Sequence, residues 1–110
     1  MGESEFHVEG EVRRNGVVAT VTGSVDIATA GEFERAIRAL LGPANRNLAI
    51  DMAKCEHFDS TGMRVLVTLD QLTRARAGTL VLHRPSVMVR SILELTGLTA
   101  IRTDDRPPPP

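Results

Sequence analysis

The stretch His57-Phe58-Asp59-Ser60-Thr61-Gly62-Met63-Arg64 lies between a short apolar run and the longest helical pattern in the chain. Asp59-Ser60 is typical of a helix start, because both residue types are favoured at the position that caps the first turn. The apolar residues that follow recur at helical spacing as far as about Ala77, where a glycine supplies a stop. The sequence therefore predicts a strand at 47–52, a loop at 54–58 and then the longest helix of the domain.

The two faces of this helix follow from a rotation of about 100° per residue, counted from Ser60. Met63 and Val67 fall at about 300° and 340°, beside Ser60, and Arg64 falls at about 40°. Apolar side chains ringed by polar and cationic ones on a solvent face are typical of a modest partner-binding surface. The expected core face, at about 120° to 240°, consists of Gly62, Val65, Leu66, Leu69 and Leu72.

Strand and helix patterns alternate on both sides of this stretch. Asn15-Gly16 between two β-patterned runs is a strong hairpin signal, and Gly23-Ser24-Val25-Asp26 is expected to leave the second strand as a loop. Capping-box spacing at 29–32 introduces the first helix, and in the last helix Met88 and Leu95 are expected on the core side. The expected elements are strands at 6–12 and 17–21, a helix at about 30–41, a strand at 47–52, the central helix, a strand at 79–83, a helix at about 86–95 and a strand at 98–101.

The element order β-β-α-β-α-β-α-β predicts an α/β fold. We expect a mixed, mostly parallel sheet of four to five strands, packed with helices and carrying one antiparallel edge pair. A chain of 110 residues fits one domain, which is expected to cover residues 1–103. Residues 104–110, two aspartates, an arginine and four prolines, are expected to form a disordered tail.

Composition excludes several function classes. The net charge is −1, so no bulk field favours nucleic acid or anionic lipid. No apolar run approaches the roughly 18 residues that a membrane span needs, and no signal peptide is recognisable at the start of the sequence. A single cysteine rules out an internal disulfide, and the simplest expectation is a cytoplasmic protein.

The chemistry-bearing residues do not form an enzyme motif. His7, His57 and His83 lack the spacing of a metal site, and no phosphate-binding or nucleotide-binding glycine pattern occurs, so we expect no metal and no cofactor. Ser60 has no recognisable His-Asp pair to activate it, which argues against a hydrolase. Cys55 is either a redox input or, in the simpler interpretation, a small apolar side chain beside the core.

Two interpretations of Asp59-Ser60 follow from the residues alone. The first is a helix cap whose serine is incidentally exposed. The second is a modifiable serine within a binding surface. A phosphate on Ser60 would be tolerated at the helix N-terminus and would add a charge of about −1.5 to −2. Folding would survive, while binding to an acidic partner would be lost.

Several fragments together resemble a known family, the STAS domain of bacterial anti-sigma-factor antagonists, over about residues 6–101. The fragments are Gly23-Ser24-Val25-Asp26, Ile50-Asp51-Met52, Phe58-Asp59-Ser60-Thr61-Gly62-Met63, Pro85-Ser86 and Leu95-Thr96-Gly97-Leu98. The Asp-Ser-[Ser/Thr]-Gly core at this place in the element order carries most of the resemblance.

The resemblance implies a non-enzymatic protein in a partner-switching cycle. The unphosphorylated antagonist binds an anti-sigma factor that is also a serine kinase, and a sigma factor is released to direct transcription, often under stress. The kinase inactivates the antagonist by phosphorylating Ser60, or less favourably Thr61, and a metal-dependent serine phosphatase restores it. The resemblance places partner contacts at Asp26, Asp59, Ser60, Thr61, Met63, Arg64 and Val67.

Two features depart from the family pattern. Ser24 stands where the family often has Glu, which affects partner preference, and Cys55 before the motif is a redox input that the pattern does not predict.

A second class of function is a STAS subunit of a lipid-transport or stress-signalling assembly without kinase control. A monomer that binds its partner as a heterodimer is the expected state.

Overall fold

The computed structural model describes residues 5–98 and 100–110, and its elements follow one another in the predicted order. The elements are β1 (His7–Arg13), β2 (Gly16–Val25), α1 (Ala30–Leu41), β3 (Leu48–Phe58), α2 (Ser60–Ala75), β4 (Leu80–His83), α3 (Val87–Leu95) and β5 (Arg102–Asp104).

The five strands form one mixed sheet in the order β1-β2-β3-β4-β5. β1 and β2 are antiparallel and joined by a two-residue turn, with Arg13 paired with Gly16. The other neighbouring strands are parallel, each connected through a helix. The predicted α/β class and the antiparallel edge pair are confirmed.

The core lies between one face of this sheet and the helices. Every second residue of each strand points into it, as the two-residue period of a strand requires. The helices contribute Phe33 and Ile37 from α1 and Leu66 and Leu69 from α2, all fully buried. The intervening strand residues point to the other face of the sheet. They include Val18, Ala49 and Val81, which line an open groove of about 590 Å³ there.

β2 and β3 are longer than the sequence predicts. Residues 23–25 continue β2 and residues 54–58 continue β3, so both expected loops are wrong at these positions. The strands stay paired to their ends, where Val25 is opposite Phe58, through two register shifts in which β3 has an extra residue. Backbone pairing between the two strands compensates for the weak strand preference of Gly23 and Ser24.

The capping box expected at 29–32 is also wrong. The Thr29 hydroxyl donates to the Ser24 carbonyl (2.8 Å) and accepts from the Asp26 N–H (3.0 Å), so it joins the β2–α1 loop rather than capping α1. The α1 helix still ends at Leu41, as predicted, and φ at the following Gly42 is 54°, a value that favours glycine.

The last helix and strand differ from the prediction in two ways. Met88 and Leu95 are 67% and 86% exposed, so they do not face the core; Val89 and Leu93 are the buried residues of α3. The last strand lies at Arg102–Asp104 instead of 98–101, a predicted range that includes Thr99, which is outside the described residues.

The end of β5 makes contacts beyond the predicted domain boundary at 103. The side chain and the backbone N–H of Arg106 donate to the Asp104 carboxylate, and these bonds lower the pKa of Asp104 to about 2. His83 Nδ1 lies 2.9 Å from the Arg106 carbonyl oxygen. β5 ends at Asp104, and both the domain boundary at 103 and the disorder of the residues after it stay predictions.

A buried carboxylate, Asp51, lies on the open face of the sheet and pairs with Arg84. The Arg84 guanidinium donates to both carboxylate oxygens, at 2.6 and 3.2 Å. Burial opposes ionisation of Asp51, but the bonds from Arg84 and from the Ala53 N–H outweigh it and hold the pKa of Asp51 below its usual value.

Candidate functional site

The predicted site lies at the edge of the sheet where β2 and β3 end. The Asp59 N–H donates to the Val25 carbonyl at 3.2 Å, which joins the start of α2 to the end of β2. Only Asp59 separates the last residue of β3, Phe58, from the first residue of α2, Ser60. The strand thus fixes the position of the helix start.

Asp59 caps α2 as predicted. Its Oδ1 accepts from the backbone N–H groups of Thr61 (2.9 Å) and Gly62 (3.3 Å). These N–H groups have no partner within the helix, and a carboxylate is further stabilised by the positive end of the helix dipole.

Ser60 is exposed, as the helical wheel predicts. Across residues 5–98 and 100–110, no hydrogen bond engages its hydroxyl, because Asp59 provides the cap. A group added to the Ser60 Oγ would therefore break no hydrogen bond of the described structure. Thr61 is half-buried and lies against α1, which makes its hydroxyl less accessible.

Asp26 organises the loop after β2. Its Oδ1 accepts from the N–H groups of Ala28 (2.9 Å) and Thr29 (3.2 Å), so the carboxylate is largely used within its own loop. The same loop presents Ile27, whose side chain is 86% exposed. Asp26 therefore contributes to the site first by holding the shape of this loop.

Met63 is not on the solvent face, and this part of the prediction is wrong. The side chain is 5% exposed and belongs to the hydrophobic core. The buried arc of α2 includes Thr73 as well, whereas Leu72 is only partly buried. The arc is thus rotated by about 40° from the one that the wheel predicts.

Arg64 and Val67 remain at the surface beside Ser60. Arg64 is exposed and Val67 is half-buried. Arg64 also lines a shallow groove of about 250 Å³ between α1 and α2, together with Gly31, Glu34, Thr61, Val65 and Thr68. The structure therefore places a cation and a partly apolar side chain on the same side of α2 as the exposed serine, about one and two turns along the helix.

Gly62 allows α2 to begin close to the end of β3. A Cβ atom at Gly62 would lie 2.8 to 3.0 Å from three ring carbons of Phe58. The Phe58 ring is itself buried and packs edge-to-face on Phe33, with ring centroids 6.0 Å apart and an interplanar angle of 88°. The missing side chain at Gly62 therefore lets a core aromatic lie under the first turn of the site.

Sequence reasoning missed three exposed apolar side chains near this edge. Besides Ile27, they are Val87 and Met88 in the first turn of α3, 80% and 67% exposed. This turn adjoins the end of β3, because Ser86 lines the same small crevice as Phe58. For Ile27 a signal existed, since a large apolar residue between turn-forming neighbours is more often exposed than one inside a strand.

Cys55 lies in the last part of β3, half-buried, and its thiol donates to the His57 carbonyl at 3.3 Å. Burial, with the neighbouring Glu56 charge, raises the pKa of Cys55 to about 11. Because the thiolate is the reactive form, this environment gives the predicted redox input no support.

Within residues 5–98 and 100–110, no three His, Cys, Asp or Glu side chains are placed together so that they could hold a metal ion. In the same part of the chain, no helix combines the length and the apolar character that a membrane crossing requires.

Similarity to known proteins agrees with this fold. A putative anti-sigma factor antagonist, BtrV of Bordetella bronchiseptica, is 27% identical over 85 residues, which cover 77% of this chain and 73% of BtrV. The anti-sigma factor antagonist SpoIIAA in its unphosphorylated form superposes with a TM-score of 0.75 at 21% identity, over 94% of this chain and 90% of that one.

An anti-sigma factor antagonist from Mycobacterium paratuberculosis gives a TM-score of 0.75 at 25% identity, over 93% of this chain and 87% of that one. The family model described as "Mlab, STAS domain" matches residues 9–103, which is most of the sequence. Because this match covers most of the sequence, the chain belongs to the STAS domain family.

Proposed function

We propose that this STAS protein is an anti-sigma factor antagonist, a binding protein that is switched off by phosphorylation of Ser60. The observation that carries the proposal is the exposure of Ser60 at the first position of α2, with the cap supplied by Asp59. The names of BtrV and of the Mycobacterium paratuberculosis protein support the same role.

In the proposed cycle, the unphosphorylated protein binds an anti-sigma factor that has serine-kinase activity. The anti-sigma factor then releases the sigma factor that it had bound. The kinase then transfers the γ-phosphoryl group of ATP to the Ser60 Oγ, which loses its proton. The phosphate adds a charge of about −1.5 to −2 to the centre of the binding surface, next to the Asp59 carboxylate. A metal-dependent serine phosphatase removes it and restores binding.

The proposed binding surface combines apolar and charged side chains around Ser60. Ile27 and Met88 supply apolar contact area from the β2–α1 loop and from α3, and Arg64 supplies a cation. Val67 contributes its exposed part. Met63 supports the surface from below, since its side chain lies in the core.

The switch is tested with Ser60→Asp and the cognate anti-sigma factor. Ser60→Asp is expected to fold normally and to lose the partner in a pull-down, whereas Ser60→Ala keeps it. Ala39→Glu is a matched control, because it adds one negative charge at an exposed position of another helix, α1. Binding of Ser60→Asp at wild-type affinity would contradict the switch.

Phosphorylation is tested separately by incubation with the kinase and ATP, followed by intact mass measurement. One added phosphate that maps to Ser60, and that Ser60→Ala does not acquire, is expected. A phosphate on Thr61 in the wild-type protein would move the switch by one residue.

The second candidate function is a STAS subunit of a lipid-transport or stress-signalling assembly without kinase control. The observation that favours it is the description of the matching family model, which names Mlab rather than an antagonist. In that case the kinase experiment leaves the mass unchanged, and Ser60→Asp alters no interaction with an anti-sigma factor.

A further inference from the structure

Two of the helices carry the same ion pair, an acid four residues before an arginine. Glu34 pairs with Arg38 in α1, and Asp70 pairs with Arg74 in α2, each with an Nε–carboxylate distance of 2.9 Å. Residues four apart lie on one face of a helix, and the acid-first order is the favoured one. Ser60 and Arg64 have this spacing too, with a serine in place of the acid.

The Arg64 side chain is available for such a pair. It is exposed, and among residues 5–98 and 100–110 no ion pair or hydrogen bond engages its guanidinium. Glu34 lines the same groove, but its carboxylate pairs with Arg38. Asp59 is the other acid at this turn, and it is used as the cap of α2.

The backbone of the first turn offers a phosphate few donors. The N–H groups of Thr61 and Gly62 donate to the Asp59 side chain, and the Met63 N–H donates to the Asp59 carbonyl at 3.0 Å. Among the described residues, only the Ser60 N–H of this turn is left without an acceptor, so a phosphate on Ser60 takes most of its hydrogen bonds from side chains. The planar guanidinium can donate two parallel N–H groups to phosphate oxygens.

We propose that phosphorylation of Ser60 creates a third acid–arginine pair, in which the phosphate is bound by Arg64 within the same helix. This inference rests on the proposed phosphorylation of Ser60 and adds how the modification acts. One phosphate then changes two groups of the binding surface: the serine becomes anionic, and the cation of Arg64 is withdrawn from the partner. Both changes weaken contact with an acidic partner surface.

The pair is tested on protein with phosphoserine incorporated at position 60 during synthesis, so that no kinase is needed. The measurement is a phosphorus NMR titration of the second ionisation of the phosphate, whose pKa is ordinarily about 6. Pairing with a cation favours the dianion and lowers this pKa. Arg64→Gln is therefore expected to raise the pKa of the phosphate by about 0.3, and Arg64→Lys by less.

Arg74→Gln is the charge-matched control, since it removes one cation from the same helix at a distance from Ser60 of about 21 Å along the axis. It is expected to change the pKa of the phosphate by less than about 0.1 at moderate salt, because such a separation exceeds the screening length. Equal pKa values in the wild-type protein and in Arg64→Gln would overturn the pairing.

The two proposals fail in distinguishable ways. The titration contains no partner protein. Equal pKa values in the wild-type protein and in Arg64→Gln would therefore overturn the Arg64–phosphate pair and leave the proposed switch at Ser60 standing. Conversely, if phosphorylated protein keeps its partner while the pKa difference is present, the switch is wrong and the pair stands.

Discussion

Gly62→Ala is expected to destabilise the protein although it replaces the poorer helix former with the better one. The added Cβ would lie 2.8 to 3.0 Å from the Phe58 ring, well inside normal carbon–carbon contact. The ring cannot simply move away, because it is buried and packed on Phe33. Either Phe58 or the first turn of α2 must shift.

The expected size of the effect is a balance of two terms. Alanine gains about 1 kcal/mol over glycine inside a helix, and less near its end. Forcing an extra carbon into a packed core costs about 1 to 3 kcal/mol. We expect a net loss of about 1 kcal/mol in the free energy of unfolding, which lowers Tm by about 4 to 8 °C in a domain of this size.

Gly31→Ala is the matched control in the other helix. Gly31 is exposed in the first turn of α1, and a Cβ there meets only the end of the Arg35 side chain, at 3.4 Å. This variant is expected to gain up to about 0.5 to 1 kcal/mol. The same substitution in two helices should therefore change stability in opposite directions.

The assay is urea unfolding followed by far-UV circular dichroism, since the chain has no tryptophan or tyrosine for fluorescence. Gly62→Ala is also combined with Phe58→Leu, which removes ring atoms that the Cβ would meet. The cost of Gly62→Ala should be smaller in that background. If Gly62→Ala is as stabilising as Gly31→Ala, the reasoning about this contact is refuted.

Three further predictions concern single side chains. Asp59→Ala is expected to lose about 1 kcal/mol of stability in the same unfolding assay and Asp59→Asn much less, because Asn still accepts the capping bonds. The pKa of Asp51 is lowered on folding, so its contribution is fully present above its unfolded pKa and is lost as the pH falls through the folded one. Below about pH 4, the free energy of unfolding should therefore fall less steeply in Asp51→Asn than in the wild-type protein. An equally steep fall in both proteins would mean that other groups cause it. The pKa of Cys55 is about 11, so at pH 8 its thiol should react with iodoacetamide roughly 100-fold more slowly in the folded than in the urea-unfolded protein. The reaction is followed by mass spectrometry, and equal rates would contradict the burial of the thiol.

The order of the elements and the exposure of Ser60 could be predicted because both depend on local pattern. Helical and strand periods are read within a window of about ten residues. Asp59 before an apolar run specifies a cap through bonds to residues two and three positions on. No distant contact is needed for either prediction.

The errors arise where distant parts of the chain decide the outcome. Gly23 and Ser24 look like a loop in the sequence, but residues more than 30 positions away, at the end of β3, hold them in the sheet. The period of α2 is evident from the sequence, whereas the direction from which its neighbours cover it is not. Met63 lay at the margin of the predicted solvent face, so a modest rotation was enough to bury it.

The single residue between β3 and α2 has a consequence for how an enzyme could recognise Ser60. A serine in a flexible loop can be drawn out as an extended peptide into a kinase cleft. Here Phe58 is anchored in the sheet on one side and the helix begins on the other, so the backbone around Ser60 has little freedom to extend. A kinase acting on this serine must recognise the folded surface, and a short peptide with the sequence of residues 55–65 should be a poor substrate. The identity of the substrate then resides in the tertiary structure rather than in a linear motif.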